Sequence, residues 1–142
     1  MASETPSAEQ LERIRQFFVN DRFATENGME LVEVRPGGAT ARMVVEPRHY
    51  NGIQTVQGGA LFTLADFAFA AACNSWGEKV TGINMSIQCL KAVRSGTLVA
   101  EATEVARSRR FSTCEVAIRD EEGQLVARFQ GTGYVLGGSL LG

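Results

Sequence analysis

The sequence predicts an α+β domain in which one long apolar helix is covered by a curved antiparallel sheet. The segment Gly58 to Ser75, GGALFTLADFAFAAACNS, is apolar on every side and is therefore typical of a buried helix. After Gly77 the periodicity changes to two, and four strand-like segments follow one another through short links. Such strands favour antiparallel pairing, and one sheet covers only one side of a helix. We therefore expect a second subunit to cover the other side.

The N-terminal part predicts a helix and a hairpin ahead of the long helix. From Ser7, an N-cap with a glutamine three residues on, the sequence AEQLERIRQFFVNDRF has a helical pattern. Two short strands, Met29 to Arg35 and Ala39 to Glu46, flank Pro36-Gly37-Gly38, which is a hairpin signal. The polar connection 48–57 then leads into Gly58.

Four further strands are predicted after the long helix. In the first of them, one face carries Ile83, Met85, Ile87 and Cys89. The others span Thr97 to Arg107, Phe111 to Asp120 and Gln124 to Leu136. The turns between them carry Ser-Gly and Asp-Glu-Glu-Gly, which favour short hairpin links.

Length, charge and cysteine content limit the number of domains, the kinds of partner and the cellular location that we expect. The 142 residues contain no repeat and predict one domain, 1–142, with loose termini at 1–6 and 138–142. A net charge of −2 gives no reason to expect nucleic acid or a membrane as a partner. The three cysteines form no zinc pattern and are expected to be packing residues. With the polar N-terminus, they predict a cytoplasmic protein without metal or other cofactor.

Several common catalytic motifs are absent from the sequence. There is no G-x-S-x-G elbow, and the single histidine, His49, argues against a Ser-His-Asp triad. There is no Walker A loop and no strand-linked G-x-G-x-x-G. The only basic concentration is Arg107, Arg109 and Arg110, for which a solvated strand end is the simpler interpretation.

The positive signal is NGIQTVQGGALFTLAD, from Asn51 to Asp66. The carboxylate of Asp66 lies in an apolar helix with no Lys or Arg one turn away. Because desolvating an unpaired carboxylate costs several kcal/mol, a functional role is favoured. Gly58-Gly59 opens the helix, so free backbone N–H groups and the positive end of the dipole point into the preceding connection. The neutral amides of Asn51 and Gln57 lie beside that opening.

These groups suit acyl transfer to water. An N–H donor can hold a developing oxyanion while a carboxylate activates the attacking group. However, Gly58 and Asp66 are eight residues apart, which is about 12 Å along a helix that rises 1.5 Å per residue. One helix cannot easily bring both to the same carbonyl, so we expect a second subunit to supply the other half.

The motif from Asn51 to Asp66, with the later segment INMSIQCLKAV, resembles the hotdog-fold acyl-CoA thioesterases of the phenylacetate-pathway (PaaI-like) branch. LFTLAD and ACNS are especially similar, and the resemblance extends from about Gly28 to Tyr134. It implies that the sheet wraps the central helix and that two subunits join their sheets. It also implies homodimers that pair into tetramers, with active sites between subunits.

The resemblance assigns roles to individual residues. Asp66 matches the catalytic carboxylate, as general base or nucleophile, and Gly58 matches the N–H donor to the thioester carbonyl. Asn51 matches the residue that orients water or substrate. Gln57 replaces the histidine of many members, as in the hydroxybenzoyl type, and keeps hydrogen-bond donation without a titratable group. The implied substrate-binding residues are Gly59, Phe62, Thr81 and Gly82, with Arg107, Arg109 and Arg110 for the phosphates of coenzyme A.

Three functions stay open on the sequence alone. The leading one is hydrolysis of an aryl-acyl or short- or medium-chain acyl-CoA to free acid and CoA. The alternative is a non-catalytic acyl-CoA-binding hotdog module that lost turnover at Gln57. A structural oligomer without ligand predicts an Asp66 pKa near 4 and no pocket beside it. Dehydration is disfavoured because His49, taken as a surface loop residue, lies outside the motif.

Overall fold

The order of helices and strands follows the prediction. The computed structural model describes residues 4–142. Its elements are α1 (Ala8–Phe17), α2 (Arg22–Glu26), β1 (Met29–Arg35), β2 (Gly38–Val44), α3 (Gly58–Cys73), β3 (Glu78–Cys89), β4 (Thr97–Arg107), β5 (Phe111–Arg119) and β6 (Leu125–Ser139). Short 3-10 turns occur at Phe18–Asn20 and Pro47–His49.

The six strands form one antiparallel sheet in the order β1-β2-β4-β5-β6-β3. Helix α3 packs mainly against β2, β4 and β5. The strands beneath it carry small, fully buried residues, which let the helix approach closely: Ala39, Ala41, Ala100 and Ala102. Bulges interrupt several of the ladders and bend the sheet around the helix. The predicted α+β architecture is therefore confirmed.

Helix α3 ends at Cys73, slightly before the predicted end at Ser75, because the Asn74 side chain caps it. The Nδ2 of Asn74 donates to the carbonyls of Ala70 at 2.8 Å and Val80 at 3.1 Å. Its Oδ1 accepts the N–H of Val80 at 2.8 Å. One side chain thus caps the helix and fixes the start of β3. No helix in the described residues is both long and apolar enough to cross a membrane.

The N-terminal helix is shorter than predicted, although its start is confirmed. Ser7 forms a capping box with Gln10. Helix α1 stops at Phe17, and after a 3-10 turn the Asp21 side chain accepts the N–H of Ala24 and starts α2. Residues 4–6 of the expected loose terminus have no regular structure, and 1–3 lie outside the described residues.

The prediction that Ile83 shares one face of β3 with Met85 is wrong. The pairing register shifts between Gly82 and Asn84, so a bulge reverses the alternation of side chains. Ile83 is 55% exposed as a result, whereas Met85, on the same predicted face, packs against the core.

The C-terminal segment is more ordered than predicted. Strand β6 continues to Ser139, which pairs with Glu78. The N–H of Leu140 then donates to the carbonyl of Gly77 at 2.7 Å. The expectation of a loose segment 138–142 is therefore wrong for its first three residues, because β3 and the residue before it supply hydrogen-bond partners.

Candidate active site

Asp66 lies half-buried on α3 beside a cavity of about 450 Å³. Among residues 4–142, Lys79 is the only other charged side chain that lines it. The remaining lining residues are Phe17, Phe18, Phe69, Ala70, Cys73, Asn74, Val80, Thr81, Gly82, Met85 and Leu140. A carboxylate in a mostly apolar cavity can act on a bound acyl group.

The carboxylate of Asp66 has neither a hydrogen bond nor an ion pair with any other residue in 4–142. Burial raises the pKa of Asp66 to about 6, and the negative charge of Asp21 contributes in the same direction. Both the cavity and this pKa disagree with the structural-oligomer hypothesis. At neutral pH the group is mostly ionised, yet it is a stronger base than an exposed aspartate.

The start of α3 offers two unpaired backbone donors. Gln57 is the N-cap and makes no side-chain capping bond, while its carbonyl accepts the N–H groups of Ala60 and Leu61. Within residues 4–142, no acceptor bonds the N–H groups of Gly58 and Gly59, which are both exposed. These donors, at the positive end of the helix dipole, can stabilise an oxyanion.

Gln57 lies over this helix start. A Cβ at Gly59 would meet Gln57 Oε1 at 2.7 Å, so only glycine leaves the amide in place. A Cβ at Gly58 would meet only Cys89 Sγ, at an ordinary 3.7 Å. Gln57 and Gly59 line a second cavity of about 240 Å³, which does not include Asp66. Gly59 and the carboxylate therefore line separate cavities of one chain, and Gly58 lies about 12 Å from Asp66 along α3.

The residues predicted to bind substrate do not all line one cavity. Thr81 and Gly82 line the Asp66 cavity. Gly82 leaves no room for a side chain there, because a Cβ would lie 3.1 Å from both Met85 and Phe69. Phe62 packs edge-on against the ring of Phe129, with centroids 5.4 Å apart, and lines neither cavity.

Asn51 uses its side chain within its own loop. Its Nδ2 donates to Thr55 Oγ1 at 2.8 Å, and its Oδ1 accepts the N–H groups of Ile53 and Thr55. The residue lines neither cavity. Its visible effect is to fix the connection that leads into Gln57.

The three arginines differ in their surroundings. Arg107 is mostly buried and donates to Glu104 at 2.9 Å and to the Cys73 carbonyl, the last of α3, at 3.2 Å. Arg109 and Arg110 are exposed in the turn between β4 and β5. Arg110 also reaches the hydroxyl of Tyr134 at 3.4 Å. Two of the three guanidinium groups are thus available to a phosphate.

His49 is buried rather than a surface loop residue, which corrects the expectation. Its Nδ1 accepts the N–H of Glu46 at 3.0 Å, and its Nε2 lies 2.7 Å from the carbonyl of Asn27. Because backbone groups occupy both ring nitrogens, the ring has a structural role. It lines the second cavity without a free nitrogen.

The cysteines agree only in part with the prediction of packing residues. Cys73 and Cys114 are buried, and burial raises the pKa of both thiols. Cys89 is exposed beside the start of α3, which corrects the prediction. No cluster of three or more His, Cys, Asp or Glu residues that could hold a metal occurs in 4–142.

The comparison with protein families decides the classification. The thioesterase superfamily model matches residues 53–127, which include the start of α3, Asp66 and β3 to β5. The chain belongs to the thioesterase superfamily. Acyl-coenzyme A thioesterase PaaI of Escherichia coli is 32% identical over 126 residues, covering 88% of this chain and 90% of that protein.

Solved structures of similar proteins have the same fold. The phenylacetic acid degradation protein PaaI from Thermus thermophilus, in a mutant form, has a TM-score of 0.78 and 33% identity, covering 82% of this chain and all of that one. A hypothetical thioesterase from Streptococcus pneumoniae, solved with coenzyme A, has a TM-score of 0.80 and 27% identity, with coverage of 89% and 98%. The predicted PaaI-like hotdog thioesterase is thereby confirmed as a family assignment.

Proposed function

We propose that this thioesterase hydrolyses an acyl-CoA to a free acid and CoA, with Asp66 as its catalytic carboxylate. The unpaired Asp66, with a pKa of about 6 beside an apolar cavity, carries the proposal. The substrate class agrees with the E. coli relative, an acyl-coenzyme A thioesterase, and with the coenzyme A in the S. pneumoniae structure. The free thiols of this chain fit a cytoplasmic location.

In the proposed reaction, Asp66 takes a proton from water as the water attacks the thioester carbon. In the nucleophilic form, Asp66 attacks that carbon itself, and water then hydrolyses the resulting mixed anhydride to the free acid and regenerates the carboxylate. The charge that develops on the carbonyl oxygen is stabilised by the N–H groups at Gly58 and Gly59. The carboxamide of Gln57 adds a neutral donor at the same opening. The carbon–sulfur bond then breaks, and the thiolate of CoA leaves and takes up a proton.

A second copy of the chain completes the site in this proposal. Strand β3 pairs only with β6 and leaves its other edge free of strand partners within residues 4–142. Edges of this kind accept a further strand, and exposed Ile83 and Leu90 lie on or next to it. In this proposal two β3 edges pair, and Asp66 of one copy acts together with Gly58 of the other. The resulting assembly is a homodimer or a dimer of dimers.

The CoA phosphates are assigned to the exposed pair Arg109 and Arg110. Guanidinium groups bind phosphates through paired N–H donors. Arg107 is left out because its donors are used by Glu104 and Cys73. Asn51, in turn, acts through the loop that it holds, while Thr81 and Gly82 form the cavity wall.

The direct test is thiol release from a panel of aryl-acyl and short- to medium-chain CoA esters. Asp66→Asn and Asp66→Ala should lower kcat by about 10²- to 10⁴-fold. Glu115→Gln is the matched control, because Glu115 is an exposed carboxylate on β5 that lines neither cavity. Wild-type rates in both Asp66 variants would refute the assignment. Tight binding of CoA esters without thiol release by the wild type would favour the binding-module alternative.

The shared site can be tested by mixing two inactive variants. Gly58→Pro removes the proposed donor, and proline is tolerated at this first helical position. Gly58→Ala is the control, since it keeps the N–H and its Cβ fits. Co-expressed Gly58→Pro and Asp66→Asn chains should regain about a quarter of the wild-type activity through mixed dimers with one intact site. No recovery despite dimer formation would place both groups of each site in the same chain.

A further inference from the structure

The Asp66 cavity is lined by residues from the N-terminal helical segment and from the segment after β6. Phe17 and Phe18 contribute from the N-terminal helical segment, and Leu140 contributes from the residues after β6. Leu140 is partly buried and packs against the hydrophobic core. An acyl group that extends from a thioester at Asp66 toward these residues would therefore meet apolar surface.

Leu140 reaches this position through two successive glycines. Strand β6 pairs with β3 as far as Val135, and the register resumes at Ser139. The intervening Gly137 and Gly138 have φ angles of +81° and +80°, which other residues rarely adopt. They let the chain bulge and return to β3, where the N–H of Leu140 bonds the carbonyl of Gly77. The position of Leu140 is therefore fixed by the backbone.

The part of the cavity wall at Gly82 has no spare room. A Cβ at Gly82 would lie 3.1 Å from Phe69 and from Met85, so the wall there is already in close contact. Asp66 must keep access to the thioester carbonyl. The room left for an acyl group then depends on the rest of the wall, where Leu140 is an aliphatic side chain on a short, backbone-anchored segment.

We infer that Leu140 is a specificity-determining residue, whose side chain ends the acyl-binding part of the cavity and limits the length of the acyl group. The inference rests on the proposed thioesterase function. It assigns the cavity beside Asp66 to the acyl group and not to the pantetheine arm of CoA. Substitution at this position should therefore change which ester is hydrolysed, and should leave the chemistry at Asp66 unchanged.

The test is a series of straight-chain CoA esters from C2 to C12, assayed with the wild type, Leu140→Ala and Leu140→Trp. Leu140→Ala should raise the ratio of kcat/KM for long over short chains about tenfold or more, and Leu140→Trp should lower it comparably, as methylene-scale pocket changes do. Leu136→Ala is the control, since Leu136 lies on β6 shortly before Leu140, is 59% exposed and is outside the cavity. Melting temperatures verify that all variants fold.

The outcomes separate the two proposals. Opposite shifts in the two variants, with the control unchanged, support the inference. Active variants with the wild-type chain-length profile overturn it and leave the thioesterase function standing. An equal rise in KM for every ester also overturns it, because the cavity would then hold the pantetheine arm. A wild type inactive on all esters, including the aryl-acyl panel, would overturn both.

Discussion

Asp66 and Glu104 are both carboxylates withdrawn from solvent, but their surroundings are opposite. The side chain of Glu104 is 7% exposed and accepts hydrogen bonds from Trp76 Nε1 at 3.0 Å, Arg107 Nη1 at 2.9 Å and Ser112 Oγ. Asp66 has none of these partners within residues 4–142, and burial raises its pKa to about 6. One carboxylate is fully bonded within the fold, and the other is left available.

The difference separates Glu104, a carboxylate that stabilises the fold, from Asp66, a carboxylate that is available for chemistry. Glu104 and Arg107 tie β4 to the last carbonyl of α3, so their charges are offset by fixed partners. The charge of Asp66 has no fixed partner, so it destabilises the folded state. The same unpaired carboxylate provides a base inside the cavity. If this comparison holds, removing the Glu104 carboxylate should lower the free energy of unfolding. Removing the Asp66 carboxylate should raise the free energy of unfolding and lower activity.

The largest effect on stability is expected at Glu104. Glu104→Ala leaves Arg107 without its carboxylate, and breaking a buried pair costs about 3–5 kcal/mol of unfolding free energy. Glu101→Ala on the same strand is the control. Its exposed pair with Arg35 should contribute less than about 1 kcal/mol. Urea denaturation measures both. Equal losses would contradict the structural role, as would loss of activity in Glu104→Ala without loss of stability.

The next effect is a gain of stability in Asp66→Asn. Since folded Asp66 holds its proton more tightly than the ordinary 3.8 implies, the native state loses stability as the pH rises from about 4 to about 6. The variant should therefore be more stable than the wild type above pH 7, by about 1–3 kcal/mol after allowance for partial exposure. The gain should vanish near pH 4. Equal stability of the variant and the wild type at pH 8 would show that the charge of Asp66 does not destabilise the fold.

A smaller effect is expected in the dependence of rate on pH. If ionised Asp66 is the reacting group, kcat should fall about tenfold per unit below pH 6. Asp21→Asn removes a charge that raises the pKa of Asp66, so the fall should begin at a lower pH. Stopped assays of thiol release from pH 4.5 to 8 measure this. A rate that does not change through pH 6 would assign the chemistry to another group.

The smallest effect is expected at the exposed arginines. Arg109→Ala and Arg110→Ala should raise KM for CoA esters by about 2- to 5-fold without changing kcat, and salt should reduce the difference. Arg119→Ala, an exposed arginine at the end of β5, is the control. Acyl-pantetheine lacks the nucleotide phosphates and should show no change. If the same increase occurs with acyl-pantetheine, the two arginines do not bind the phosphates.

The parts of the fold that depend on local signals could be predicted from the sequence. The bounds of β1 and β4 are confirmed, because alternation and Pro-Gly or Ser-Gly turns define them locally. Asp66 could be found because it is a lone charge in an apolar helix. Helix α1 was predicted too long because its apolar pattern continues past the Asn20-Asp21 break.

Features that depend on distant contacts could not be predicted. The bulge that exposes Ile83 adds a residue to one strand, and a two-residue period contains no sign of it. Leu140 lines the cavity only because the tail returns along β3, and no pattern in the short tail indicates this. The burial of His49 likewise depends on Asn27, which is 22 residues away.

The three hydrogen bonds of the Asn74 side chain join the end of α3 rigidly to the beginning of β3. The same stretch of β3 supplies a wall of the Asp66 cavity and belongs to the strand whose outer edge is unoccupied within residues 4–142. A second chain that pairs with the free edge of β3 would therefore make the wall of the Asp66 cavity more rigid. Turnover per subunit would then depend on protein concentration, even at saturating substrate.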